Sequence, residues 1–230
     1  MKNYLVIGGS SGIGLATVKI LLSTENQVFA TYFSKEMPSN EAKYFQLNVL
    51  ENEFDLNFLP ETLDGLLYCP GAINLKPFGR LKPQDFVEDY QLQVVGAVKV
   101  IQAVLPRLKK SESASVVLFS TVAVQTGFGF HSLVSASKGA IEGLTRALAA
   151  ELAPTIRVNC IAPSITQTPL AANILNSSEK IEANAQRHPL KRIGSAIDIA
   201  QTAAFLLGNQ SSWITGQILH VDGGISNLKV

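Results

Sequence analysis

The chain has 230 residues, 47% hydrophobic and 16% charged, and its 19 basic and 18 acidic side chains give a formal net charge of +1. That length and apolar share fit one well-filled α/β domain spanning residues 1–230 and exclude disorder, while the balanced charge lacks the basic footprint of a nucleic-acid binder. The amino-terminal apolar run is too short for a signal peptide and no later segment reaches membrane-spanning length, so no membrane partner and a cytoplasmic location are expected.

The first predicted strand, 4–7, is apolar on consecutive residues, as a strand covered on both faces should be. It runs into Gly8-Gly9-Ser10-Ser11-Gly12-Ile13-Gly14 and then into a helix predicted over 12–23. Glycines at 8, 12 and 14 between a strand and a helix permit a tight turn whose backbone amides approach a pyrophosphate, helped by the positive end of the helix. Gly8, Ser10, Ser11, Gly12, Ile13 and Gly14 are therefore candidate dinucleotide contacts; the competing reading is an ordinary glycine-rich turn.

The second strand, 27–31, leads into Thr31-Tyr32-Phe33-Ser34-Lys35. An NAD-selective site places an acid here on the ribose hydroxyls, and none is present. Thr31, Ser34 and Lys35 are candidate cofactor contacts; Ser34 and Lys35 can meet a 2′-phosphate, which favours NADP with NAD as the alternative, although Lys35 also reads as a solvated loop charge. Strands follow at 44–47 and 65–68, a long helix over 84–109, a strand at 115–120, a helix over 135–152 and a strand at 156–161. Residues 164–191 carry a polar helical pattern over 177–186 and read as a substrate lid; a helix over 198–208 and a strand at 217–221 complete the chain. Short strands alternating with helical crossovers make a Rossmann-like, doubly wound α/β fold with a seven-stranded parallel sheet.

Cys69 and Cys160 have no CxxC spacing and read as buried thiols, and His131, His188 and His220 stand far apart, so no metal site is expected.

Several segments in order resemble the short-chain dehydrogenase/reductase family across essentially the whole chain. Besides the glycine turn, Cys69-Pro70-Gly71-Ala72 lies where the family has Asn-Asn-Ala-Gly, and Ser135-Ala136-Ser137-Lys138 matches the segment bearing its active-site lysine. Arg157-Val158-Asn159-Cys160-Ile161-Ala162-Pro163 resembles the strand that ends in Pro-Gly, with Ser164 in place of that glycine. Pro189–Gly194, Ile214–Gln217 and Val221–Gly224 look like the family's carboxy-terminal third. The resemblance implies hydride exchange between a nicotinamide dinucleotide and a small-molecule carbonyl or alcohol, in a homotetramer or homodimer joined through the 84–109 and 135–152 helices and the last strand. It further places Asn48, Val49, Pro70, Gly71, Lys138, Pro163, Ile165 and Thr168 against the cofactor.

Such chemistry needs an acid at the substrate oxygen. The family uses a tyrosine, a lysine four residues later, a serine and an asparagine. Here the lysine is Lys138, but Val134 stands at the tyrosine position and can neither donate nor accept a proton; Thr121 replaces the serine and Gln93 the asparagine. Lys138, Thr121 and Gln93 are the candidate catalytic residues; solvated or backbone-satisfying roles are the alternatives for each. Tyr68 and His131 are the candidate substitute donors. Two functions follow: an NADP-dependent oxidoreductase with an atypical site, or a catalytically silent dinucleotide-binding regulator or scaffold.

Overall fold

The computed structural model describes residues 1–34 and 42–229, so Lys35 lies outside the described residues. Strands β1 (Asn3–Ile7), β2 (Gln27–Tyr32), β3 (Lys43–Gln46), β4 (Gly65–Tyr68), β5 (Ala114–Phe119), β6 (Ile156–Pro163) and β9 (Ile218–Val221) form one parallel sheet in the order β3-β2-β1-β4-β5-β6-β9. The seven-stranded architecture is thus as the sequence predicts, with strand ends moved by one or two residues. A separate two-residue ladder pairs β7 (Thr166–Gln167) with β8 (Gly194–Ser195).

Side chains alternate across the sheet, and each face has its own core. Leu5, Ile7, Leu66, Val116 and Val158 point to one side, against α3 (Gly96–Leu108) and α5 (Ser132–Leu152). Tyr4, Val6, Leu67 and Val117 point to the other, against α1 (Gly12–Leu22) and α7 (Ala196–Leu207). Both faces are covered, which is why these strands are apolar on consecutive residues. The order reverses at β1, with β2 on one side of it and β4 on the other, and this opens a crevice at the carboxyl ends of the strands.

Three elements depart from the expectations. The helix predicted over 84–109 is α2 (Pro83–Tyr90) and α3 joined through a π-helical turn, Gln91–Val95, a widening that apolar spacing cannot reveal. Helix α5 begins at Ser132, three residues early, so Val134 is already inside it. A short helix α4 (Val122–Thr126) follows β5, capped by Thr121. The 164–191 segment is largely structured: after β7 comes α6 (Ser178–Arg187), whose first turn is capped by Ser177 accepting from the Lys180 amide at 3.3 Å.

Candidate active site

A cleft of about 1230 Å³ lies over the carboxyl ends of the strands, lined from the glycine turn at one end to Lys138 and α6 at the other. The turn is held from behind. The Gly8 amide donates to Thr31 Oγ1 at 3.0 Å, the Gly9 amide to the Thr31 carbonyl at 2.9 Å, and the Tyr44 hydroxyl donates to the Gly9 carbonyl at 3.2 Å. Thr31 is buried and serves chiefly as the anchor of the turn. At the start of α1, Ser11 caps by backbone conformation only, with no side-chain hydrogen bond, so the first amides of the helix are left for an anion. Gly14 packs so closely beneath the turn that an added Cβ would stand 2.3 Å from the Gly8 carbonyl oxygen. Gly14→Ala should therefore cost about 1–3 kcal/mol of stability and sharply weaken dinucleotide binding, checked by thermal unfolding and fluorescence titration; an unchanged affinity would contradict this use of the turn.

Lys138 and Val134 of α5, Gln93 of the π turn, Thr121 before α4 and Pro163 at the end of β6 line this cleft, as do Ser34, Asn48, Val49, Pro70, Gly71, Ile165 and Thr168. Lys138 and Gln93 converge on Gly71, whose missing Cβ would lie 3.7 Å from Lys138 Nζ and 3.5 Å from Gln93 Oε1. Gln93 sits in the π turn, 1% exposed, with its Nε2 donating to both oxygens of buried Asp89 at 2.8 and 2.7 Å. A carboxylate can only accept here, so it fixes the amide with its NH2 outward to Asp89 and leaves Oε1 without a protein partner among the described residues. That orphaned acceptor near the lysine suits a water or a ligand hydroxyl.

Thr121 accepts from the Ala123 amide at 3.3 Å, and its own proton stays available to the cleft. The hydroxyl thus satisfies a backbone amide and also lines the cleft. Val134 lies one helical turn before Lys138 on the same face of α5, presenting an aliphatic wall.

Of the two substitute donors, Tyr68 is corrected. Its hydroxyl donates to the Leu92 carbonyl at 2.7 Å beneath the π turn, burial pushes its pKa up, and it does not line the cleft. His131 does line it, with Nδ1 held 2.7 Å from the Gly129 carbonyl. Cys160 is buried as expected, but Cys69 is half-buried and lines the cleft, its thiol pushed up to about 12 by burial, with Lys138 opposing. Sequence reasoning missed Asp89, which looks like a surface acid of α2, and the contact of Ser164 Oγ with His188 Nε2 at 2.8 Å. Among the described residues no cluster of His, Cys, Asp and Glu is arranged to hold a metal, and no helix is long and apolar enough to cross a membrane.

Burial lowers the Lys138 ammonium from 10.5 to about 8, with the Asp89 carboxylate among the groups opposing the shift. The folded chain then binds fewer protons than the unfolded chain between these values, so this group's contribution to stability rises with pH across that window. An anionic ligand prefers the charged lysine. Dinucleotide affinity should fall as pH rises through about 8, with proton uptake on binding measurable by calorimetry in buffers of different ionisation enthalpy; affinity flat across that range would contradict the assignment.

Residues 8–226 match the family profile described as Enoyl-(Acyl carrier protein) reductase. A tropinone reductase homolog of Arabidopsis thaliana is 32% identical over 97% of this chain and 92% of its own length. The 3-oxoacyl-[acyl-carrier-protein] reductase FabG of Thermotoga maritima is 29% identical, covering 97% of both chains. Among solved structures, ElxO with NADP bound superimposes with a TM-score of 0.88 at 27% identity, covering 99% of each chain.

Proposed function

Because the chain belongs to the short-chain dehydrogenase/reductase family and is an oxidoreductase of that type, we propose that it exchanges hydride between NADP and a carbonyl or alcohol substrate at a site where Val134 stands in place of the usual acid. The observation that carries this reading is the placement of Lys138, Gln93 and Thr121 at the far end of the same cleft that begins at the glycine turn. Family members bind NAD(P), and the residues present fit it. Turn and helix amides meet the diphosphate; Lys138 meets the nicotinamide ribose; Thr121 polarises the substrate oxygen; Gln93, held by Asp89, orders a water beside Lys138. When bound, the dinucleotide supplies or accepts the hydride.

The cleft's charge supports a polyanionic ligand: Lys138, Lys180 and Arg187 line it, and no Asp or Glu among the described residues does. The phosphorylated form is favoured because the end of β2 and the bend after it, Thr31-Tyr32-Phe33-Ser34, carry no carboxylate, Ser34 lines the cleft, and the structurally similar ElxO holds NADP. Lys35 would add a cation to the 2′-phosphate. Residues 164–191 act as the lid of a single domain, with α6 bearing on the substrate. Two free thiols fit a cytoplasmic protein. The open edge at β9, with Trp213 99% exposed, fits assembly into a dimer or tetramer.

The test is turnover with NADPH and NADP across a panel of aldehydes, ketones and alcohols. Substrate-dependent absorbance change that prefers the phosphorylated cofactor is expected. Saturable binding with no turnover on any substrate would instead support a silent dinucleotide-binding regulator.

A further inference from the structure

The cleft holds a second polar constellation. Ser164 directly follows the last residue of β6, and His188 follows α6 as its C-cap residue. Ser164 Oγ is 2.8 Å from His188 Nε2, and His188 Nδ1 is 2.7 Å from the Asn184 carbonyl oxygen. A carbonyl only accepts, so the proton of the neutral ring is on Nδ1 and Nε2 is free to take one from the serine. The histidine is 2% exposed and packs against the backbone at Gly223, where a Cβ would meet its ring at 3.4 Å, so the imidazole is locked. The serine is less enclosed, and both residues line the cleft.

The pair lies on the wall of the same cleft that Thr121, Lys138 and Pro163 line. Phe119 of β5 pairs with Ile161 of β6, and the Ser120 amide donates to the Ile161 carbonyl at 2.7 Å. Beyond this last pair the chain from β5 runs on to Thr121 at the start of α4, and β6 runs on to Pro163 with Ser164 directly after it. The Ser164 backbone is itself fixed, with its carbonyl accepting from Thr166 Oγ1 at 2.9 Å.

We infer that Ser164 and His188 form the proton relay of this enzyme, Ser164 as the catalytic residue at the substrate oxygen and His188 positioned behind it to exchange its proton. The inference rests on the carbonyl/alcohol reading above. In reduction, a bound reduced dinucleotide would supply hydride to the carbonyl carbon, and the C=O π pair would move onto oxygen. That oxygen takes the Ser164 hydroxyl proton, and Ser164 Oγ takes the Nε2 proton of the His188 imidazolium. The products are the alcohol, the oxidised dinucleotide and neutral His188, whose Nε2 takes a proton back from cleft water through the Ser164 hydroxyl. In oxidation each transfer reverses, and neutral His188 is the base. The nucleophilic use of such a pair is excluded from the scheme because no bond to Ser164 needs to form.

Ser164→Ala and His188→Gln should each lower kcat by about 100-fold or more while leaving the dissociation constant for NADPH unchanged. Ser164→Thr, which keeps the hydroxyl, should retain turnover. Adding Val134→Tyr to Ser164→Ala should restore it, a rescue that a merely structural contact would not show. In the ligand-free protein, nitrogen NMR of the His188 imidazole should find the neutral ring protonated at Nδ1. Wild-type turnover that survives Ser164→Ala, or a neutral ring protonated at Nε2, would overturn the relay and leave the proposed function standing. A wild-type protein that binds NADPH but turns over nothing would overturn both.

Discussion

Replacing Lys138 with methionine is expected to weaken NADPH binding by about 10- to 100-fold while raising the melting temperature of the ligand-free protein. The first effect follows from losing charge-assisted hydrogen bonds to the ribose, worth about 1.5–3 kcal/mol. The second follows from burial. The ammonium is desolvated enough for its pKa to fall to about 8, and no described residue hydrogen-bonds it, so the fold carries a charge that methionine removes without leaving a cavity. Opposite signs in the two measurements are the signature of a residue kept for a ligand. A lysine that merely decorates a helix would show neither; a lysine that holds the fold together would lower both.

Val134→Tyr introduced into the Ser164→Ala variant is expected to raise kcat/KM for simple carbonyls by about 10²- to 10⁴-fold over Ser164→Ala alone, the usual worth of a positioned general acid. Val134 is one turn before Lys138 on α5 and already lines the cleft, so a phenol from this position extends along the cleft wall that bears the ammonium. The nearby positive charge favours the phenolate and so eases proton transfer. The rest of the site is prepared for it: Thr121 retains a free proton and Gln93 an open acceptor. Initial-rate measurements on an aldehyde panel check the gain, and a variant that folds, binds cofactor and shows no gain would mean that Val134 is not at the reacting centre.

The sheet, its seven strands and the glycine turn were all legible in the sequence because their signals are local. Leu5, Val6 and Ile7 are apolar in succession since the sheet is covered on both faces, and Gly14 is needed by a close backbone approach. What stayed hidden depends on contacts between distant elements. The π turn at Gln91–Val95 leaves no mark on helical periodicity, yet it is what turns Gln93 inward. Asp89 reads as one more acid on a polar helix, and only the fold shows it 5% exposed and clamping the Gln93 amide. Tyr68 sits at a strand end beside the cofactor turn, a plausible donor by position, but its hydroxyl is spent on the Leu92 carbonyl. Ser164 and His188 are 24 residues apart, and their contact exists only because α6 folds back over the end of β6.

The account depends most on backbone amides at the start of α1 and the Lys138 ammonium gripping the two ends of one dinucleotide. Fluorescence titration of the purified protein with NADPH and with NADH addresses this directly. Saturable binding is expected, tighter for NADPH, and lost in Gly14→Ala. Absence of binding by either nucleotide at millimolar concentration would contradict it.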